Sequence, residues 1–281
     1  MKSFLCLLCF LLPFVSRSDD RKSRRSEPTV LSTMMNVRAQ CDSVLAEADR
    51  LYWYESAAWI TGDMAAERDL LSRSEGYLSY GEADSTYSIV YSADSVLLTA
   101  YFGRDSSLCD TVVRAFRPEE IRLRDMRRKL IDSVYGGAIS IYFYEGYDPN
   151  FVLTEHDGGY KLFLMMGTQL RGVIPFGNDY IFFADSMGTI THWRQLHRSL
   201  LSADFGKKEI RKQFLAGKVR AVIHNHLNSE PLITATDICL MRMYGPLLGV
   251  DTLIVVSPSL KTRFVYSVQD NAVGMFTIDD N

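Results

Sequence analysis

The run that most constrains this chain is Val219–His226 (VRAVIHNH), an apolar, β-rich stretch ending in two histidines two residues apart. In a strand, side chains at i and i+2 point to the same face, so His224 and His226 share one face at the strand end. A loop over 227–233 follows, and Thr234-Ala-Thr-Asp237 then opens a predicted helix that runs to Leu247 and stops near Gly249. A further strand is expected over Thr252–Ser257. The strand end and the helix start meet at the carboxyl edge of a sheet, a frequent place for ligand sites in α/β folds. Both imidazoles reach one ion at about 2.0–2.1 Å, and Asp237 supplies a third donor. Two His and one carboxylate leave a fourth zinc position for water, which is the catalytic arrangement of that metal. The same residues admit a plainer reading. Thr234-x-x-Asp237 is a capping box in its Asp form, and the histidines are then a polar strand end.

The rest of the chain divides by period. Over residues 30–75, Val37, Cys41, Val44, Ala48 and Leu51 recur at spacings of three and four, which predicts a helix with an apolar stripe. Thr86–Tyr91 and Ser95–Phe102 read as a hairpin turned at 92–94. Pro118, Glu119 and Glu120 open a second helix, expected to stop at Gly136-Gly137. Its many arginines, interleaved with Leu123, Met126 and Leu130, read as a solvated face. Beyond it strands dominate: Ile139–Tyr144, Tyr160–Met166, Gly172–Phe176, Tyr180–Ala184 and, near the end, Phe264–Val268. Two more helices are expected at His192–Leu201 and Lys207–Ala216; His192 and His197 read first as structural residues of the former, with a metal-ligand or substrate-contact role as the alternative.

His224-x-His226, then seven residues, then Thr234-x-x-Asp237 resembles the JAMM signature of the JAB/MPN family, and the resemblance covers about 155–270. The following helix, the Ile-Val-Val strand, the Pro turn and the Phe/Tyr strand are similar to that family too. So are Tyr160–Gly167 and Gly172–Phe176, which look like its paired early strands. The expected chain is α+β: an N-terminal helical and hairpin region, 30–148, that matches no family, followed by what the resemblance implies, a JAB/MPN-like mixed α/β domain, 149–281, with a cytidine-deaminase-like sheet and flanking helices. The resemblance implies zinc on His224, His226 and Asp237, with Thr234 in the place of a Ser that aids the oxyanion. It further implies a metallopeptidase acting on an amide of a peptide or protein. Leu227 replaces the family's proline. The family's general-base Glu maps to about Tyr160; Glu155 is the nearest carboxylate, with Asp157 and Glu145 next. The alternative is a non-catalytic MPN-like binding or scaffold module lacking that Glu.

The N-terminus differs in kind. Lys2, the apolar run Phe4–Val15 and the small residues Ser16 and Ser18 make residues 1–18 a secretory signal peptide, too short to span a bilayer, and 19–29 a charged linker. Lipidation at Cys9 has too little apolar sequence before it. The protein is therefore expected outside the cytoplasm, periplasmic or at the cell surface. Cys41, Cys109 and Cys239 would remain, too few and too far apart for a disulfide framework. A formal net charge of −3 gives no bulk basicity for nucleic acid or anionic membrane. Mass analysis of the exported chain should find Asp19 as its first residue; an intact Met1 would reject cleavage.

Overall fold

The computed structural model describes residues 30–278 except 83, 104–106, 111–112, 139, 169, 171, 206 and 209–220. The segments expected to be a signal peptide and a linker, and most of the helix expected over Lys207–Ala216, lie outside the described residues. Those described form a mixed α/β structure with three α-helices and several sheets. None of these helices is long and apolar enough to cross a membrane.

Helix α1 (Val30–Glu67) leads into an antiparallel meander of β1 (Gly76–Glu82), β2 (Ser85–Tyr91), β3 (Val96–Phe102) and β4 (Ser107–Asp110). The expected hairpin is its β2–β3 pair. Helix α2 (Pro118–Ser133) starts at the expected proline and ends in a wide turn, where Gly137 takes φ 90°, a left-handed conformation that suits glycine. Glu120, fully buried, closes the capping box on the Arg117 backbone and takes Arg114 at 2.7 Å and the Tyr80 hydroxyl at 2.8 Å. This one carboxylate ties α2 to the meander.

The second sheet holds β5 (Tyr147–His156), β6 (Gly159–Thr168), β8 (Tyr180–Ala184) and β9 (Ile190–Gln195) in the order β5-β6-β8-β9. The chain departs from expectation here in three ways. Ile139–Tyr144 forms no strand among its described residues; the strand comes later, as β5, and includes Pro149. A proline survives there because β5 is an edge strand, with a free side that needs no amide donor. The helix expected at His192–Leu201 is instead β9, a turn at 196–199, and β10 (Leu200–Asp204). Ile190, Thr191 and Trp193 favour pleated backbone, and His192 stacks on Phe183 of β8 with ring centroids 4.1 Å apart. Finally, β6 does not pair with β7 (Val173–Gly177): β6 lies between β5 and β8, and β7 makes a two-stranded ribbon with β10.

The third sheet is β11 (Ala221–Asn225), β12 (Thr252–Ser257), β13 (Thr262–Ser267) and β14 (Ala272–Thr277), with β11 parallel to β12 and the rest antiparallel. Helix α3 (Ala235–Leu248) makes the crossover from β11 to β12 and ends on Gly249 at φ 66°.

Two cores share strand β6. Leu162, Leu164 and Met166 face the core built from the meander, α2, β5 and β8. Phe163 and Met165 face the other, built from α1, α3, β7 and the third sheet. A strand buried on both faces reads as one unbroken apolar run, as YKLFLMM does. Cys41 of α1 and Cys239 of α3 are buried free thiols of the second core. Replacing Glu120 by Ala strips a buried charge network and should lower stability by about 3 kcal/mol, read by urea denaturation; a loss under about 0.5 kcal/mol would show that the network is solvated.

Candidate metal centre

Strand β11 is fixed by its parallel pairing, with His224 opposite Val255, and the backbone N–H of His226 continues the ladder to Val256 O at 2.9 Å. Both imidazoles leave the strand on one side, toward the start of α3. There Thr234 is the N-cap: its hydroxyl accepts from Asp237 N at 3.2 Å and donates to Asp237 Oδ2 at 2.7 Å. The same Oδ2 accepts from Thr234 N at 3.0 Å. The capping box and the ligand cluster thus coexist on the two oxygens of one carboxylate. Oδ2 closes the cap, while Oδ1, buried and with no hydrogen bond, is left 3.2 Å from His224 Nε2 and 3.4 Å from His197 Nε2.

His197 is a donor that the sequence reading set aside. It sits in the 196–199 turn and is 3 % exposed. Its Nε2 lies 2.9 Å from His226 Nε2, which lies 3.1 Å from His224 Nε2 and 3.0 Å from Asp237 Oδ2. One donor atom from each of His197, His224, His226 and Asp237 falls within 4.8 Å of every other. With Asp237 offering Oδ1, the His197–His226, His224–His226, His197–Asp237 and His224–Asp237 separations of 2.9–3.4 Å compare with the edge of about 3.3–3.4 Å that a tetrahedron of 2.0–2.1 Å zinc bonds has.

The outer hydrogen bonds decide what occupies the middle. His226 Nδ1 lies 3.1 Å from Glu230 O, a carbonyl that only accepts, so Nδ1 carries the proton and the neutral ring turns a lone pair inward at Nε2. His197 Nδ1 lies 2.6 Å from Asp179 Oδ1, which likewise takes a donated proton. Two inward lone pairs 2.9 Å apart repel unless a proton or a cation stands between them. With neither ion nor further donor, the proton goes to His197: burial opposes its charge, but the carboxylates of Asp179 and Asp237 outweigh that and push its pKa up to about 9. Burial lowers the pKa of His224. Burial alone would raise that of Asp237, but His197, His224 and His226 hold it well below the ordinary carboxylate range. Three imidazoles and one carboxylate, buried and with an orphaned oxygen, fit a divalent metal of the Zn, Fe or Ni kind. Among these the donor set alone does not choose.

Asp179 is the second residue missed, since Gly177-Asn178-Asp179 reads simply as a turn. It is buried, and its other oxygen accepts from Thr236 Oγ1 of α3. Glu230 is the third. It sits in the loop that the sequence reading treated as spacing, half-buried, 3.3 Å from Arg194 of β9. Burial raises its pKa.

Glu155 is not brought to the cluster. It ends β5 opposite Tyr160, which pairs with Ala184, whereas Asp179 precedes the other end of β8. Five residues of strand put about 16 Å between those levels. Glu155 is exposed there and pairs with Arg122 at 2.6 Å. Asp157 is exposed beside His156, and Glu145 is exposed ahead of β5. Comparison with family models, with curated proteins and with solved structures gave no match to this chain.

The charge on His197 has a sign that can be checked. Its pKa is raised on folding, so the metal-free protein keeps this stabilisation fully below about pH 6.5 and loses it as pH rises through about 9. A metal takes the place of that proton. Zinc uptake at pH 7.5 should therefore release about one proton per ion, and almost none above pH 10. Calorimetry in buffers of different ionisation heat reads this directly; uptake without release at pH 7.5 would contradict it.

Proposed function

We propose that this chain is an exported zinc protein of the JAB/MPN type, whose buried centre is built to hydrolyse an amide bond of a peptide or protein. The observation that carries the metal is the convergence of donor atoms, with His197 Nε2 and His226 Nε2 2.9 Å apart beside an Asp237 oxygen that makes no hydrogen bond. The His-x-His spacing, the Thr-x-x-Asp box and the β11–α3–β12 crossover around them support the family reading. A zinc ion supplies Lewis acidity, polarising a carbonyl and making water a nucleophile near neutral pH.

The chain's own groups divide the remaining work. His224, His226 and Asp237 hold the ion from one strand–helix unit. Asp179 keeps the His197 proton on Nδ1, and the Glu230 carbonyl keeps the His226 proton on Nδ1, so both rings present Nε2. Thr234 is engaged as the helix cap, so its support for an oxyanion is indirect, through Asp237. The Glu230 carboxylate, half-buried beside the centre and raised in pKa, is suited to take and return a proton, the role that the sequence reading gave to Glu155.

A second reading, a non-catalytic binding module with the metal as a staple, is favoured by two facts. Four protein donors complete the tetrahedron, which is the structural pattern of zinc. Tyr160 stands where the family has its base. The purified mature chain should carry about one zinc, and His226→Ala should lose it. Glu230→Gln should keep zinc and lose about 10²–10⁴-fold of peptide hydrolysis, while Glu155→Gln stays at the parent rate. A protein with zinc but no hydrolysis, in the parent and in a variant lacking His197, would leave the second reading. Protein that takes up no zinc would end both.

A further inference from the structure

The four donors do not come from one place. His224, His226 and Asp237 belong to a single rigid unit. Strand β11 is locked to β12, and Asp237 lies in the first turn of α3 under its own cap. His197 comes from elsewhere, the turn at 196–199 between β9 and β10. The backbone of that turn is anchored to the Asn178–Asp179 segment, while the Leu196 side chain is buried in the core that α1, α3 and the third sheet build. Leu196 N–H donates to Asp179 O at 2.9 Å, Asn178 N–H to Ser199 O at 3.1 Å, and His197 Nδ1–H to Asp179 Oδ1. Strand β10 beyond it pairs only with β7.

Among the described residues, the polar contacts that join this turn and its support to the strand–helix unit are, besides those of His197 itself, Thr236 Oγ1 to Asp179 and the partly exposed Arg194–Glu230 pair at 3.3 Å. The three donors of the strand–helix unit are, on their own, the number that a catalytic zinc uses, with water in the fourth position. His197 fills the fourth.

We propose that His197 is a removable cap. It occupies the coordination position through which water or substrate reaches the metal, and the 196–199 turn with its Asp179 support moves away as a piece while the other three donors keep the ion. The resting centre is then closed, and the ligand that opens it is one whose metal-binding atom competes with an imidazole, such as a carbonyl or hydroxamate oxygen. This inference rests on the metal reading above, and the test separates the two.

Cobalt(II) replaces zinc as a visible reporter of coordination, and acetohydroxamate serves as the probe. A cap closed in about 99 of 100 molecules weakens the apparent affinity of a competing ligand about 100-fold. His197→Ala should hold about one cobalt per chain and bind acetohydroxamate about 100-fold more tightly than the parent, with a change in the visible spectrum. Asp179→Asn, which loosens the support without removing the imidazole, should fall between them at about 10-fold. If His197→Ala takes up no cobalt while folded by near-ultraviolet circular dichroism, His197 is an integral ligand and the cap is rejected. If it does not fold, Asp179→Asn decides, and an affinity equal to the parent's rejects the cap. Equal acetohydroxamate affinity in parent and His197→Ala rejects it too. A parent that binds no cobalt removes the metal reading itself, and the cap with it.

Discussion

Strand β6 is the member on which the arrangement depends, because both of its faces are buried in different cores. Leu162, Leu164 and Met166 hold it to the meander side, and Phe163 and Met165 to the side of α1, α3 and the third sheet. A strand with two apolar faces fixes its neighbours as well. β8 takes its register from β6, with Tyr180 opposite Leu164, and that register places Asp179 at the edge facing α3. Asp179 then sets His197. The centre is thus assembled where a two-faced sheet meets a strand–helix unit, and a slip of one residue in β6 would exchange its faces and lose the alignment.

Electrostatics at the centre follow from that placement. A carboxylate buried as deeply as Asp237 is normally driven toward its neutral form, yet three imidazoles around it keep it charged. The arrangement tolerates this only with positive charge in the middle: the proton on His197, or a metal. With no cation in the middle, breaking one side of such a buried network leaves an uncompensated charge. The division of Asp237 into a capping oxygen and an inward oxygen lets one residue serve the helix and the centre at once.

Under the proposed reading, four converging donors and a hydrolytic centre are compatible if the fourth donor comes from a separate part of the fold. Three donors carried by β11 and α3 are an intact site, and the fourth arrives on a turn supported by another sheet. Movements between packed units are easier than movements within one, because the hydrogen-bond ladder of a strand and the first turn of a capped helix resist distortion. The position of Glu230 beside Arg194, bridging the same two units, would change with such a movement.

Much of this was written in local patterns. The spacing of Val37, Cys41 and Val44 yields α1, the Thr86–Phe102 hairpin yields β2 and β3, and the His-x-His and Thr-x-x-Asp spacings place three donors together. Those features rest on period and capping, which depend on neighbours a few residues away. The sequence by itself did not reveal that Pro149 lies in an edge strand, that Ile190–Gln195 is extended, or that β7 pairs with β10, because pairing partners lie far along the chain. It could not select His197 over His192 either. Both sit in THWRQLHR, and what separates them is their neighbours: His192 stacks on Phe183 of a strand, while His197 meets Asp179 and His226. The choice of Glu155, with Asp157 and Glu145 next, does not match the placement of these residues for the same reason. Distance from a metal is set by sheet register and crossover, and only the tertiary structure decides which carboxylate ends up beside it.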